Sequence, residues 1–405
     1  MTFRVAISGL NAAQTDLTVT ANNIANTSTT GFKGSRVQFA ELYSASARDE
    51  GAVSTGSGVK VAGIGQQFAQ GAIDFTDNGL DLAISGKGFF VLGDGGGRSY
   101  TRAGAFKVDR DGYVVNPAGQ RLQVFPKVAG GGFNTGATAD LRLIGGESAP
   151  AATTKVAMTL NLPGNAAEPA SAPFDPTDAD TYSYSTAMTV YDSLGAAHTA
   201  TVYFRKTGEP NTWEQRLYLD GNAVGDVQTL RYSNTGALVE PADGIVTFPG
   251  YEPGTGAAPL PLSYDFGAST QYGSAFSVSA ISQDGYTTGR LIGLETEPDG
   301  VVQARFTNGR SVALGQVAIA QFASVEGLQS LADTTWSETF ASGPAMLGQA
   351  GTSGMGVIQA GALESSNVDV TEQLVNMITA QRNFQANAKM ISTSDSIAQT
   401  IINIR

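Results

Sequence analysis

The chain has 405 residues, and its 24 Lys and Arg against 36 Asp and Glu give a formal charge of -12. That balance argues against a basic nucleic-acid-binding face and against attraction to an anionic membrane. With no Cys and a single His, thiolate zinc sites, Cys nucleophiles, disulfide frameworks and multi-His centres are excluded, so no cofactor or metal is expected.

The length suffices for roughly two or three domains. Fifty Gly without a triplet period point to a turn-rich, β-rich chain. The N-terminus lacks the basic-then-apolar pattern of a cleavable signal peptide, and no apolar run approaches the ~18 residues of a membrane span. Neither direct membrane insertion nor signal-peptide cleavage is expected.

The first predicted element is a helix. Phe3, Ala6, Leu10, Ala13, Leu17, Thr20 and Ile24 alternate three and four residues apart, which places them on one stripe. Asn22, Asn23 and Asn26 offer amide donors and acceptors near its end, and Gly31 allows a stop or tight turn. Residues 31–70, with Ser, Gly and Ala crowded around 44–58, read as a linker with an extended arm. Residues 71–145 read as β structure, as do 285–360.

Between them, 146–284 has its own chemistry. Eleven of the 15 prolines lie from Pro150 to Pro261, and this stretch holds five basic residues against fifteen acidic ones. Alternating segments at 181–193, 198–208 and 212–220 fit half-buried strands of an inserted, acidic β domain.

The last element is a long helix over about 369–403. Val370, Leu374, Met377, Gln381, Phe384, Ala388, Ile391, Asp395, Ala398 and Ile402 repeat the three-and-four spacing, and Asn367 or Asp369 can cap its start. The fold class expected is therefore α+β, mainly β. It is nested, with the terminal helices (1–30 and 361–405) as a coiled-coil pair, a middle β domain, and an outer β domain inserted in it.

Charge is sparse at both ends. Residues 1–30 carry only Arg4 and Asp16. Small uncharged faces around an apolar seam suit helices enclosed by other helices, as in a polymer. Alone they are expected to be loosely ordered, because each seam residue contributes about 1.5–3 kcal/mol when buried while ordering costs about 1–2 kcal/mol per residue.

Several stretches imitate chemical motifs. Ser85-Gly86-Lys87-Gly88 lacks the flanking residues of a phosphate loop, and Asp109 and Asp111 before Gly112 lack the later ligands of a calcium loop. His198 reads as structural, and Asp175, Asp178 and Asp180 as a solvated loop. No catalytic residue is assigned.

The ends resemble the flagellar rod/hook family, the axial proteins of the bacterial flagellum. ANNIANTSTTGFK (21–33), which contains Asn22, Asn23, Asn26, Gly31, Phe32 and Lys33, looks like its N-terminal signature. The stretch 361–405, with Asn367, Val368, Asp369, Gln381 and Arg382, looks like its C-terminal one. Segments 79–92 and 100–122 are similar to its middle-domain repeats. The insertion at 146–284 favours the hook branch over the shorter rod members.

The resemblance implies a non-enzymatic homopolymer, exported unfolded by the flagellar type III apparatus without a cleavable signal. It would meet rod, hook-cap and hook-filament junction proteins outside the cell. A distal rod or junction component is the alternative within the family. A secreted β-rich carbohydrate-active enzyme with paired carboxylates is the alternative outside it.

Overall fold

In the computed structural model the described residues are 2–42, 56–128, 130–143, 145–170 and 173–403. Most of the Ser-, Gly- and Ala-rich stretch expected at 44–58 lies outside them. The chain is mainly β, with one long helix at each end. It divides into two units: residues 1–145, 292–305 and 311–405 form one, and 146–291 with 306–310 form the other.

In the first unit, helix α1 spans Thr2–Ala25 and helix α2 spans Val370–Asn403. At 34 residues α2 is about 50 Å long. Its start is capped by Asp369, whose Oδ1 accepts the N–H groups of Thr371 (2.7 Å) and Glu372 (3.1 Å). Where a linker with an arm is expected, Ser35–Glu41 and Val59–Gln66 pair as an antiparallel ribbon. Ser8 at the α1 surface accepts the Val59 N–H.

The β part of this unit is a sheet running Val301–Phe306, Ser311–Val317, Arg121–Pro126, Phe89–Asp94, Gly97–Thr101, Thr335–Ser337 and Gln329–Ser330, with antiparallel neighbours. The run Phe89-Phe90-Val91-Leu92 is buried throughout, because opposite sides of the strand feed two different cores. Phe90 and Leu92 join Ile84, Leu122, Val124 and Ile319, whereas Phe89 and Val91 join Tyr100, Phe125, Phe322 and Trp336.

The second unit is a β-sandwich. One five-stranded sheet contains Tyr184–Tyr191, Ala197–Lys206, Thr212–Leu219, Asn222–Tyr232 and Leu238–Glu240. The other is built on Lys155–Pro163, Ile245–Tyr251, Leu260–Asp265, Thr270–Tyr272 and Ser277–Gln283. Alternation along Ala197–Lys206 sends Ala200, Val202 and Phe204 inward to meet Val156, Leu160, Leu262 and Phe266 of the facing sheet.

This unit extends past the composition boundary at 284. Residues 306–310 fold back on it: the Arg290 N–H donates to Thr307 Oγ1 (2.9 Å), and Asn308 Nδ2 donates to the Thr287 carbonyl (2.8 Å). A hairpin tip of ordinary composition carries no charge or proline signal that would assign it in advance.

Candidate functional site

The helices pack antiparallel. A Cβ on Gly9 would lie 2.6 Å from Asn387 Oδ1, and Asn23 Nδ2 donates to Gln373 Oε1 at 3.2 Å. In this register α2 runs past the start of α1 from about Asp395 onward.

The face of α1 that is buried consists of Ala6, Ala12, Ala13, Thr20 and Asn23. On α2, Ala380 is buried, with Gln373, Met377, Phe384, Asn387 and Ile391 half-buried on the same stripe. The predicted stripe divides here, with its Ala6, Ala13 and Thr20 buried. Leu10, Leu17 and Ile24 are half-buried at its flank, while Phe3 (49%), Leu374 (47%) and Ile402 (71%) are exposed. Small residues on α1 let the helix backbones approach closely, and the large side chains of α2 on this stripe, Met377, Phe384 and Ile391, are half-buried beside them.

The exposed side chains form their own stripes. Phe3 and Ile7 lie one turn apart on α1, and Val370, Leu374 and Ile378 lie in successive turns of α2. Ile64 and Phe39 of the ribbon are similarly uncovered. Exposed apolar rows on nearly charge-free helices are the mark of a surface built to be covered.

Where the helices meet the β part there is a buried polar node. Lys33 Nζ is 2.5 Å from Glu364 Oε1, and Arg102 Nη1 is 3.2 Å from Glu364 Oε2. Glu364 also accepts the Gly71 N–H (2.9 Å), its own carbonyl accepts the Gly31 N–H (2.7 Å), and Lys33 donates to the Ala69 carbonyl (2.8 Å). Burial pulls the Lys33 ammonium below its ordinary range, opposed by the Glu364 hydrogen bond and charge. Burial likewise lowers Arg102, again opposed by Glu364.

Asparagines extend the node. Asn23 bonds both ways to the Ser35 backbone (2.8 and 2.9 Å). Asn367 Oδ1 accepts the Gly34 N–H (2.8 Å), and its Nδ2 donates to the carbonyls of Gln67 (2.7 Å) and Ala69 (3.1 Å). Asn367 is thus a tie between segments, and the cap of α2 belongs to Asp369. A Cβ on Gly31, which has φ +68°, would lie 2.5 Å from the Ala103 nitrogen, so no other residue fits there without displacing backbone.

The signature residues therefore divide. Asn23, Gly31, Lys33 and Asn367 converge on the node, with Phe32 and Val368 half-buried beside it. Asn22 and Asn26 bond locally at the end of α1, and Gln381 and Arg382 lie on the exposed side of α2. Glu364, Arg102 and Gly71 escape the sequence reading. A lone acid in the short strand Ala362–Glu364, on the same face as the buried Ala362, was the available signal.

The motif-like stretches are structural. Asp109 Oδ1 accepts the N–H groups of Asp111 (2.9 Å) and Tyr113 (2.8 Å), Asp175 and Asp178 make similar local turns, and residues 86–88 join two strands. His198 lies between Asp220 (2.6 Å) and Asp192 (3.3 Å). Among the described residues no helix is long and apolar enough to cross a membrane.

Comparison with known proteins gives the same answer along the whole chain. Residues 3–33 match the family described as flagella basal body rod protein, 83–166 the flagellar hook protein FlgE/F/G D1 domain, 161–286 the flagellar basal body protein FlaE D2 domain, and 359–404 the flagellar basal body rod FlgEFG protein C-terminal. The flagellar hook protein FlgE of Escherichia coli is 40% identical, with 100% of both chains covered. Those of Salmonella typhimurium (39%, 100% of both) and Treponema pallidum (35%, 98% of both) are also similar. The crystal structure of Helicobacter pylori flagellar hook protein FlgE2 shares the fold with a TM-score of 0.54 at 16% identity, covering 72% of this chain and 100% of that one. The chain belongs to the flagellar hook protein FlgE family.

Proposed function

We propose that this chain is the structural subunit of the bacterial flagellar hook, which polymerises into a curved, flexible tube and carries torque from rod to filament. The full-length similarity to hook proteins at 35–40% identity carries this reading. It is a structural role with no catalytic step.

In this reading the terminal segments 1–30 and 361–405 line the tube, and their exposed apolar rows meet the same helices of neighbouring copies. Segments 71–145 and 285–360 form the middle layer, and 146–284 the outermost one. Head-to-tail contacts of this kind do not close on one ring and so build a filament. Smaller polar contacts between β parts would exchange as the tube bends, while the ribbon region 31–70 takes up the changing distance. Rod, hook-cap and junction proteins would bound the tube at its ends. Delivery outside the cell would use the flagellar type III apparatus.

The purified chain should form tubes visible by electron microscopy. Deleting 1–25 or 370–405, or replacing Leu374 and Ile378 by Asp, should abolish them while the sandwich of 146–291 still melts cooperatively. Tubes from the end-deleted chain would contradict the lining role.

A further inference from the structure

Phe340 is fully exposed, and its relative exposure of 105% exceeds that of any other large apolar side chain among the described residues. It is not on a loose loop. Thr339 Oγ1 donates to the Gly327 carbonyl (2.6 Å) and accepts the N–H groups of Ala341 (3.1 Å) and Ser342 (3.2 Å). The completely buried Ser342 accepts the Thr339 N–H (2.9 Å). The backbone on both sides of Phe340 is therefore pinned, so docking its ring would cost little ordering.

The same unit carries a cavity of about 350 Å³ walled by Phe68, Phe89, Phe322 and Val325, with Lys87 and Ala323 among its lining residues. Phe68 and Phe322 each stand edge-on to Phe89, at centroid distances of 5.7 and 5.9 Å. The space admits a phenyl ring, and edge-to-face contacts are the geometry aromatic groups prefer. Phe340 of the same chain does not fill it.

We propose that Phe340 of one copy inserts into this aromatic cavity of a neighbouring copy, a contact between β parts that deepens the assembly reading and rests on it. Charge supports a second copy as the occupant. Lys87 is exposed at the cavity, which Arg102 also lines, and Glu338, whose Oε2 accepts the Tyr100 O–H (3.1 Å) and the Ala345 N–H (3.1 Å), is exposed two residues before Phe340. Size supports it as well. One aromatic side chain buries about 150–250 Å², far below the ~1,200 Å² of a stable isolated interface. The contact therefore holds only where the helical lining already sets copies side by side, and is repeated along the polymer.

The chain has no native Cys, which makes the test direct. Chains carrying A341C, which keep the Phe340 ring, and chains carrying A323C are mixed, polymerised and oxidised. A disulfide-linked dimer on a non-reducing gel is expected from the polymer and not from dispersed monomers. F340A should raise the critical concentration for tube formation at least tenfold with the melting curve of the monomer unchanged, and F340W should restore it. Tubes that form normally with no cross-link, or F340A tubes with wild-type assembly, overturn this contact alone. A wild-type chain that forms no tubes overturns the assembly reading and the contact with it.

Discussion

Lys33, eight residues beyond the end of α1, and Glu364, six residues before α2, form an ion pair at 2.5 Å with both side chains fully buried. Arg102 approaches the other carboxylate oxygen, so one acid from the C-terminal segment fastens the N-terminal segment to the β part. Such a triad fixes where the two helices emerge. Each member also depends on the others for compensation of its charge.

Glu364→Gln should therefore destabilise the first unit by about 3–5 kcal/mol, because it leaves Lys33 and Arg102 buried without a counter-charge. Urea unfolding monitored by the fluorescence of Trp336 in a Trp213→Phe background reads this unit. A loss below 1 kcal/mol would mean that the node is hydrated and energetically idle.

Gly31→Ala tests the turn that delivers Lys33. A Cβ there meets the Ala103 nitrogen at 2.5 Å and the backbone must keep φ +68°. Left-handed backbone alone costs an L-residue about 1–2 kcal/mol, and the close approach adds to it. Thermal melting should fall by several degrees, with faster hydrogen exchange at Gly31 and Gly34.

The sandwich should show an acidic stability optimum set by His198. Burial alone would lower its pKa, yet the hydrogen bonds and charges of Asp220 and Asp192 outweigh burial and raise it above the usual 6.5. Its contribution is thus fully present below about pH 6.5 and is lost as pH rises through the raised value. Asp192 and Asp220 resist burial through their bonds to backbone N–H groups and His198, and sit below their usual range. Their contribution is present above about pH 4 and lost as pH falls through the depressed values. Tyr251 and Thr255 are the other groups facing this cluster. The melting temperature measured against pH should decline above neutrality in the wild type, and His198→Gln should flatten that decline.

Gln215→Met should stabilise the sandwich. Gln215 is completely buried, and neither its Nε2 nor its Oε1 finds a partner among the described residues. Replacing an unpartnered buried amide by an apolar side chain of similar shape removes a desolvation cost of about 1–3 kcal/mol. Calorimetry should show an upward shift of a few degrees. A decrease would mean that the amide is satisfied inside the fold, by a buried water.

Much of the fold is legible in the chain because period and burial coincide. Strands such as Ala197–Lys206 alternate cleanly, since one face meets a core and the other does not. The three-and-four spacing finds both helices, and α2 starts at Val370 next to its predicted cap. The ribbon at 35–41 and 59–66 is harder to read, because most of its residues are exposed and its pattern is not apolar-in, polar-out. The helix contact is legible only in part for a related reason. The spacing finds Ala6, Ala13 and Thr20 on the contact, but hydropathy also weights the exposed Phe3 and Leu374 and passes over Ala380, whose merit is small size.

By itself the sequence determined the two terminal helices, the β character of the rest, the exclusion of thiol and multi-histidine chemistry, and the family, because these depend on local spacing and residue type. Only the tertiary structure decided which residues of each helix stripe touch and which stay exposed, that residues 306–310 fold with the second unit, and that Lys33, Arg102 and Glu364 share one buried point. Partners separated by up to 331 positions leave no periodic trace in a single chain. They are joined by the requirement that a charge withdrawn from water must find its compensation inside the fold.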